Sequence, residues 1–259
     1  AGNGVTFLIL APGIQAPVGY DMSKYTIINS PTNVTFLGVR ALMPDPDEAN
    51  AFLAKFKIYP YSERENPTIH PILTVDDNTP WGQWQPHGMA YWEALKTIVD
   101  RETFEDRDRF FLAMMQSLGI EKGKPFNPSE KLKTILTEGA NLGELMCKSN
   151  QIEPRHDEPY YENSNWYRLL TNFPLTKTSK SNYFLDESNQ YYYEAVTVTA
   201  GMQSNTPGPG TTSYLSTKKD KDGNFLLGSN TYKIHLPAGI PASNFWALTL
   251  YSENTRCFI

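Results

Sequence analysis

The chain has 259 residues, of which 40% are apolar and 13% aromatic, and its formal net charge is −5. This length corresponds to one large domain or two smaller ones. The acidic balance and the scattered Lys and Arg argue against a nucleic-acid partner, which needs clustered cations to neutralise phosphates, and no stretch approaches the roughly 20 apolar residues of a membrane span.

The first part of the chain is predicted to be rich in β-strand. An apolar run at residues 5–10 ends at a Pro-Gly pair, which is typical of a buried strand followed by a turn. Residues 25–29 and 34–42 contain β-branched and aromatic side chains and predict two further strands. The Ser-Pro-Thr-Asn sequence at 30–33 predicts the turn between them.

A short helix is predicted to begin near residue 45. Asp45 is a suitable N-cap, and Pro46 fits the first helical position because its missing N–H is not needed there. Three- and four-residue spacing predicts that the buried face of this helix consists of Ala49, Phe52, Leu53 and Phe56.

Three longer helices are predicted at about 86–101, 104–118 and 128–148, with Asn127 as the cap of the last. Apolar residues recur on each at helical spacing, which places them on one face. On the last helix the inward set is Leu132, Ile135, Leu136, Ala140, Leu142 and Leu145. We expect the helices to form one cluster through Trp92, Leu95, Phe110, Phe111, Met114, Leu132, Leu136 and Leu145.

The last part of the chain again predicts strands, at 212–217, 231–236 and 245–251. Between the first two, Asp220–Asn224 predicts a metal-free turn with Gly223 at positive φ. The calcium alternative is weaker because the loop lacks the Gly and Glu positions of a calcium-binding helix-loop-helix. Residues 186–201 fit either a strand, by propensity, or a helix, by their acidic start.

Several segments resemble an uncharacterised family. Residues 228–251 and the turn at 220–224 are similar to the signature of domain of unknown function 1214. Upstream, the Pro-Gly pair at 12–13 and the segments at 30–33 and 120–126 are similar to proteins that pair domain of unknown function 1254 with 1214. The resemblance runs from about residue 2 to residue 256.

This resemblance implies β-rich domains joined by helices, and it implies that 186–201 is helical. Together with the residue patterns it predicts an α+β fold, with sandwich-like antiparallel sheets at both ends and a cluster of about three helices between them. The expected divisions are 1–80 (1254-like), 81–165 (helices and linker) and 166–259 (1214-like).

The resemblance also suggests that the chain is part of a longer protein or a divergent short form, because family members begin earlier and continue further. The strands at 5–10 and 245–251 are apolar on both faces, the pattern of a covered sheet. We therefore expect a second copy or additional chain segments to cover them, since exposed apolar edges invite pairing.

No catalytic residue is carried over from the family, and the sequence contains no Gly-x-Ser-x-Gly elbow. The irregular segments at 76–90 and 153–168 are the best places for a site, because functional residues concentrate on loops held by rigid elements. The candidate ligand-binding residues are Trp81, Trp84, His87, Arg155, His156 and Tyr160. For His87 a capping or packing role is favoured over the role of a general base. The segment at 153–168 is also explained as a solvated linker between domains.

The sequence thus favours a ligand-binding or assembly module, with a small molecule or a carbohydrate as ligand and with no cofactor, metal or nucleic acid. The alternative is a hydrolase-type enzyme with an unrecognised site around 76–90 or 153–168. A carboxylate and a hydroxyl near His87 or His156, in one concave pocket, would favour the enzyme. The cellular compartment does not follow from the sequence.

Overall fold

The computed structural model describes most of the chain, which divides into two compact units, each built from two separate segments. Unit 1 consists of Ala1–Pro80 and Glu93–Pro128, and unit 2 of Trp81–Trp92 and Ser129–Ile259. The residues that the structure describes are 4–21, 23–69, 85–153, 159–168, 185–186, 189, 193, 214–236, 238–240, 242 and 246–252.

Unit 1 begins with two paired strands, β1 (Phe7–Leu10) and β2 (Thr26–Asn29), which confirms two of the predicted strands. The pair is parallel, whereas the sequence predicted antiparallel sheets. Leu8 and Leu10 are buried, while Phe7 and Ile9 on the other face are exposed. Within this chain β1 therefore has one buried face, and the covering of its other face by a second copy or by further chain segments stays a prediction.

Residues 34–42 form no strand, although their composition predicted one. Val34, Phe36 and Leu42 are exposed. A strand needs a partner for its backbone N–H and C=O groups, and β propensity measures how well side chains pack on a sheet. Without a partner strand the composition alone does not make this segment β.

The helix α1 (Pro46–Leu53) begins as predicted, because the Asp45 side chain accepts a hydrogen bond from the N–H of Asp47. Its predicted buried face is wrong in part: Phe52 and Phe56 are exposed. A single 3-10 turn, Tyr61–Glu63, follows.

The three long predicted helices are confirmed as α2 (Met89–Arg101), α3 (Arg109–Ser117, preceded by the 3-10 turn Asp106–Asp108) and α4 (Glu130–Ile152). The N-cap of α4 is Ser129 and not Asn127, because the Ser129 hydroxyl accepts from the N–H of Leu132. The division into units places α3 in unit 1 and α4 in unit 2 and divides α2 between them. The expectation of one three-helix cluster stays a prediction.

The inward face of α4 differs from the prediction. Leu136 is fully buried, and Leu132 and Ala140 are half-buried. Ile135, Leu142 and Leu145 are exposed, and on α3 so are Phe110 and Met114. Apolar residues lie on both sides of α4, so spacing alone does not tell which side is packed.

The end of α2 holds two loops of unit 1 through carboxylates. Glu102 is buried and accepts a hydrogen bond from the Asn33 N–H at 2.6 Å, while the Asn33 side chain donates to the carbonyl of Arg101. Asp100 accepts from the Gly123 N–H at 2.9 Å, and the Lys122 ammonium donates to the carbonyl of Glu102. The core nearby contains Val99 and Ile120, both almost inaccessible.

Unit 2 contains a second two-stranded sheet, in which β3 (Tyr167–Arg168) pairs antiparallel with β4 (Leu215–Ser216). The predicted strand at 212–217 is confirmed at residues 215 and 216, whereas the described residues 214 and 217 lie outside the strand. Residues 231–236 and 246–250 form no strand. Of the segment 186–201, Asp186, Asn189 and Tyr193 are described, and all three are helical, as the family resemblance implies.

The turn at Asp220–Asn224 joins two antiparallel positions, Lys219 and Phe225, and Gly223 has φ +83°, as predicted. The Asp220 carboxylate accepts hydrogen bonds from the N–H groups of Asp222 and Asn224, both at 2.9 Å. The turn is thus held by its own first residue. Among the described residues, no helix is long and apolar enough to cross a membrane.

Two leucines of α4 that differ strongly in burial provide a matched test of its packing. Leu136→Ala should lower the free energy of unfolding by about 2–5 kcal/mol, because Leu136 is only 2% exposed and its loss leaves a cavity. Leu142→Ala should change it by less than about 0.5 kcal/mol, since Leu142 is 60% exposed. Urea denaturation measures both, and equal effects would contradict this orientation of α4.

The carboxylates at the end of α2 should make unit 1 sensitive to acid. Burial raises the pKa of Glu102, but hydrogen bonds from Asn33 and Arg101 outweigh it, so the net pKa is lowered below the ordinary 4.5. A carboxyl with a lowered folded-state pKa stabilises the fold above its unfolded pKa and loses that contribution as pH falls through the folded one. We expect the free energy of unfolding to decrease as the pH falls below 4.5.

The variant Glu102→Gln should weaken this pH dependence in urea denaturation measured between neutral and acid pH. Glu65→Gln is the control, because that side chain is exposed and lies beside only one Arg. If the free energy of unfolding of Glu102→Gln depends on pH as it does in the wild type, Glu102 is not the source of the acid sensitivity.

Candidate functional site

A polar cluster of unit 2 surrounds the carboxylate of Glu144, on the inward side of α4. Nδ1 of His87 lies 2.7 Å from Oε2 of Glu144, and the Lys148 ammonium lies 2.8 Å from Oε1. The buried Tyr193 hydroxyl donates to the same Oε1 at 3.3 Å. Three donors from three parts of the chain therefore meet one carboxylate.

His87 reaches Glu144 because the start of α2 lies against α4. The Trp92 indole N–H donates to the carbonyl of Leu136 at 2.7 Å. Gly88 is buried at φ +56°, and a Cβ added there would lie 3.2 Å from Cγ2 of Thr137. Glycine suits this position both for its backbone conformation and for the close approach. The residue beside His87 thus fixes where the imidazole sits.

The exposure of the pair is unequal. The side chain of Glu144 is 17% exposed and that of His87 is 53% exposed. The carboxylate therefore belongs to the packed body of the unit, while the ring reaches solvent. A carboxylate on Nδ1 fixes the ring orientation and the tautomer, and in the neutral ring it makes Nε2 the acceptor.

The ionisation of Glu144 is set by competing effects. Burial raises its pKa, but the hydrogen bonds from Lys148 and His87 outweigh burial, and the net pKa is lowered. The carboxylate is therefore charged near neutral pH and can hold a donor on Nδ1.

Of the six predicted ligand-binding residues, the structure describes two, His87 and Tyr160. Trp81, Trp84, Arg155 and His156 lie outside the described residues. Tyr160 is exposed and packs edge-to-face on Tyr161, with ring centroids 4.8 Å apart.

A carboxylate and a hydroxyl near His87 would favour an enzyme, and the structure shows the carboxylate only. His87 has its carboxylate, but the hydroxyl of the cluster, from Tyr193, contacts Glu144 and not the imidazole. Within the described residues, no group of three or more His, Cys, Asp or Glu side chains could hold a metal ion.

Sequence reasoning missed Glu144, Lys148 and Tyr193. One signal was available: Glu144 lies four residues after Ala140 and eight after Leu136, on the face that is packed. An acidic residue in line with buried positions is unusual unless it is paired. The prediction also placed Ile135, Leu142 and Leu145 on the inward face of α4, so Glu144 did not stand out as an acidic residue on the packed side.

Removing Lys148 should change the acidity of the site. In Lys148→Met the pKa of Glu144 should rise, because the ammonium makes the largest lowering contribution while burial continues to raise the pKa. NMR titration of the ¹³C-labelled side-chain carboxyl measures this. Lys133→Met is the control, since Lys133 pairs with the exposed Glu130 on the same helix. An unchanged Glu144 pKa would contradict the geometry.

Comparison with known proteins finds a similarity at the end of the chain. Residues 211–259 match the model of a family described as a protein of unknown function (DUF1214). No curated protein matches the chain. The last fifth of the sequence is therefore similar to an uncharacterised family, in agreement with the resemblance of residues 220–224 and 228–251.

Proposed function

We propose that the chain is a small-molecule binding protein whose site lies in unit 2 and is centred on His87. The observation that carries this proposal is the 2.7 Å contact between Nδ1 of His87 and the largely buried Glu144. Lys148 and Tyr193 hold the carboxylate from its other oxygen. An imidazole held in this way has little freedom to lose on binding, which favours affinity.

The chemistry of the exposed ring indicates the ligand. With Nδ1–H donated to Glu144, the neutral His87 offers Nε2 as an acceptor for a hydroxyl or amide N–H. No partner of Nε2 is recorded among the described residues. Tyr91 and Trp92, edge-to-face at 5.3 Å, add aromatic surface in the first turn of α2. A carbohydrate or another hydroxylated small molecule combines these donor and apolar requirements.

The other predicted ligand-binding residues are proposed as contributors from neighbouring segments. Trp81 and Trp84 precede His87 by six and three residues. Arg155 and His156 follow the end of α4, the helix that carries Glu144, and Tyr160 follows them. Aromatic and polar side chains on both segments would enlarge the surface presented to a ligand.

We also propose that the chain pairs a part similar to domain of unknown function 1254, at residues 1–80, with the 1214-like part at its end. The segments at 12–13, 30–33 and 120–126 support this assignment. The α+β fold with β-rich ends, and the divisions 1–80, 81–165 and 166–259, belong to the same proposal. The idea that a second copy or a further segment covers the strand at 5–10 rests on the apolar sequence of that strand.

A hydrolase is the second candidate, and the same contact favours it. A carboxylate on Nδ1 is the arrangement by which a histidine general base is oriented, leaving Nε2 to take a proton from water. The residues described around His87 supply neither a nucleophile in contact with the ring nor a set of oxyanion donors. Binding therefore accounts for more of the geometry than catalysis does.

Native mass spectrometry of the full chain, followed by NMR with the methyl glycosides of glucose, galactose and mannose, tests the proposal. We expect a bound small molecule, or shifts of the His87 ring signals, in the wild type. The bound molecule should be lost in His87→Ala, because this variant removes the acceptor. The bound molecule and the ring shifts should both be weakened in Glu144→Gln, because this variant removes the charged partner of the ring.

The control is His235→Ala, which removes an exposed histidine elsewhere in unit 2 and should leave binding unchanged. Equal binding by wild type and His87→Ala would contradict the proposed site. Hydrolysis of p-nitrophenyl acetate that is lost in His87→Ala and Glu144→Gln but kept in His235→Ala would favour the enzyme instead.

A further inference from the structure

A groove opens in unit 1 where the two parallel strands end. It has a volume of about 490 Å³ and is lined by Leu10, residues 11–16, Ile27, Asn29 and Ser30. This volume is within the range of roughly 300–1,000 Å³ that small-molecule sites occupy. The groove lies between the segments that leave the carboxyl ends of these two strands.

Both walls of the groove are fixed by hydrogen bonds. On the β1 side, the Ile14 N–H donates to the Ala11 carbonyl at 3.1 Å, across Pro12 and a Gly13 with φ +74°. Proline at the second position and positive φ at the third are the features of a type II turn. This wall therefore has its shape before any ligand arrives.

The β2 side is fixed by Ser30. Its N–H continues the ladder to the Leu10 carbonyl at 2.8 Å. Its buried hydroxyl donates to the Thr32 carbonyl at 2.7 Å and lies 3.0 Å from the Thr35 hydroxyl. Because these contacts occupy the hydroxyl, Ser30 shapes the groove and leaves recognition to other residues.

The residue types that line the groove indicate which class of ligand fits it. Leu10, Ile14 and Ile27 provide apolar surface, and Gln15 and Asn29 provide amides that both donate and accept hydrogen bonds. None of the ten lining residues is charged. An ionic ligand would lose hydration here without gaining a counter-charge, whereas a neutral ligand loses less.

We propose that this groove binds a neutral small molecule that has one apolar part and one amide or hydroxyl group. The apolar part contacts Leu10, Ile14 and Ile27, and the polar group exchanges hydrogen bonds with the side chains of Asn29 and Gln15. The site is separate from the one at His87, because all of its lining residues belong to unit 1.

A matched set of probes tests the class of ligand. N-cyclohexylacetamide is neutral and has an apolar ring and an amide, while cyclohexanecarboxylate and cyclohexylammonium carry opposite charges on the same ring. At millimolar concentration the neutral probe should shift the backbone ¹H–¹⁵N signals of residues 10–16 and 27–30. Each charged probe should bind at least about tenfold more weakly.

Variants then test whether the probe binds in the groove. Ala16→Trp should fill the groove and abolish the shifts, whereas Ala51→Trp, on the exposed side of α1, should leave them unchanged. Asn29→Leu removes the amide at similar size and should weaken binding of the neutral probe, with Asn50→Leu as its control. The Asn29→Leu comparison decides the question if Ala16→Trp does not fold.

Absence of shifts with the neutral probe would overturn the proposal. Equal binding of a charged probe would overturn the ligand class. Shifts that survive both Ala16→Trp and Asn29→Leu would show that the probe binds elsewhere, which also overturns it.

Discussion

A carboxylate withdrawn from water must be met by hydrogen-bond donors, and this requirement organises unit 2 around Glu144. Its side chain is mostly buried on α4, and three donors meet it: His87 from before α2, Lys148 from the next turn, and Tyr193 from a distant segment. An unpaired charge in this position would cost several kcal/mol. The same need that stabilises the carboxylate therefore fixes the orientation of the exposed imidazole of His87.

Unit 1 uses the same device for a different purpose. Asp100 and Glu102, at the end of α2, accept hydrogen bonds from backbone N–H groups of two loops. Charged acceptors make stronger hydrogen bonds than neutral ones, so two residues of one helix turn hold loops that are far apart in sequence. In unit 2 a carboxylate positions a side chain, while in unit 1 two carboxylates position backbone.

Local signals explain which features were predictable. The Asp45 cap, the long helices and the turn with Gly223 depend on residues within a few positions of each other, so the sequence contains what is needed. The segment 34–42 depends on a distant partner strand, which composition does not supply. The parallel pairing of β1 and β2 is likewise set by how the chain between them folds back.

The candidate site shows the same limit. His87 was recognised because aromatic residues and turn signals surround it, but its partner lies 57 residues away and was not. On α4, Ile135 and Leu142 are as apolar as Leu136, and only tertiary packing decides which of them is buried. Where two faces of a helix are equally apolar, the spacing of apolar residues predicts the helix but does not predict which face is buried.

The division of the sequence between the two units has a consequence for how the protein can be taken apart. The chain crosses from one unit to the other after Pro80, after Trp92 and after Pro128. One of these crossings falls inside α2, so a single helix belongs to both units. A single cut after Pro80 leaves unit 2 in one fragment, but together with residues 93–128 of unit 1. A single cut after Pro128 leaves unit 1 in one fragment, but together with residues 81–92 of unit 2. Neither unit by itself corresponds to one uninterrupted stretch of coding sequence.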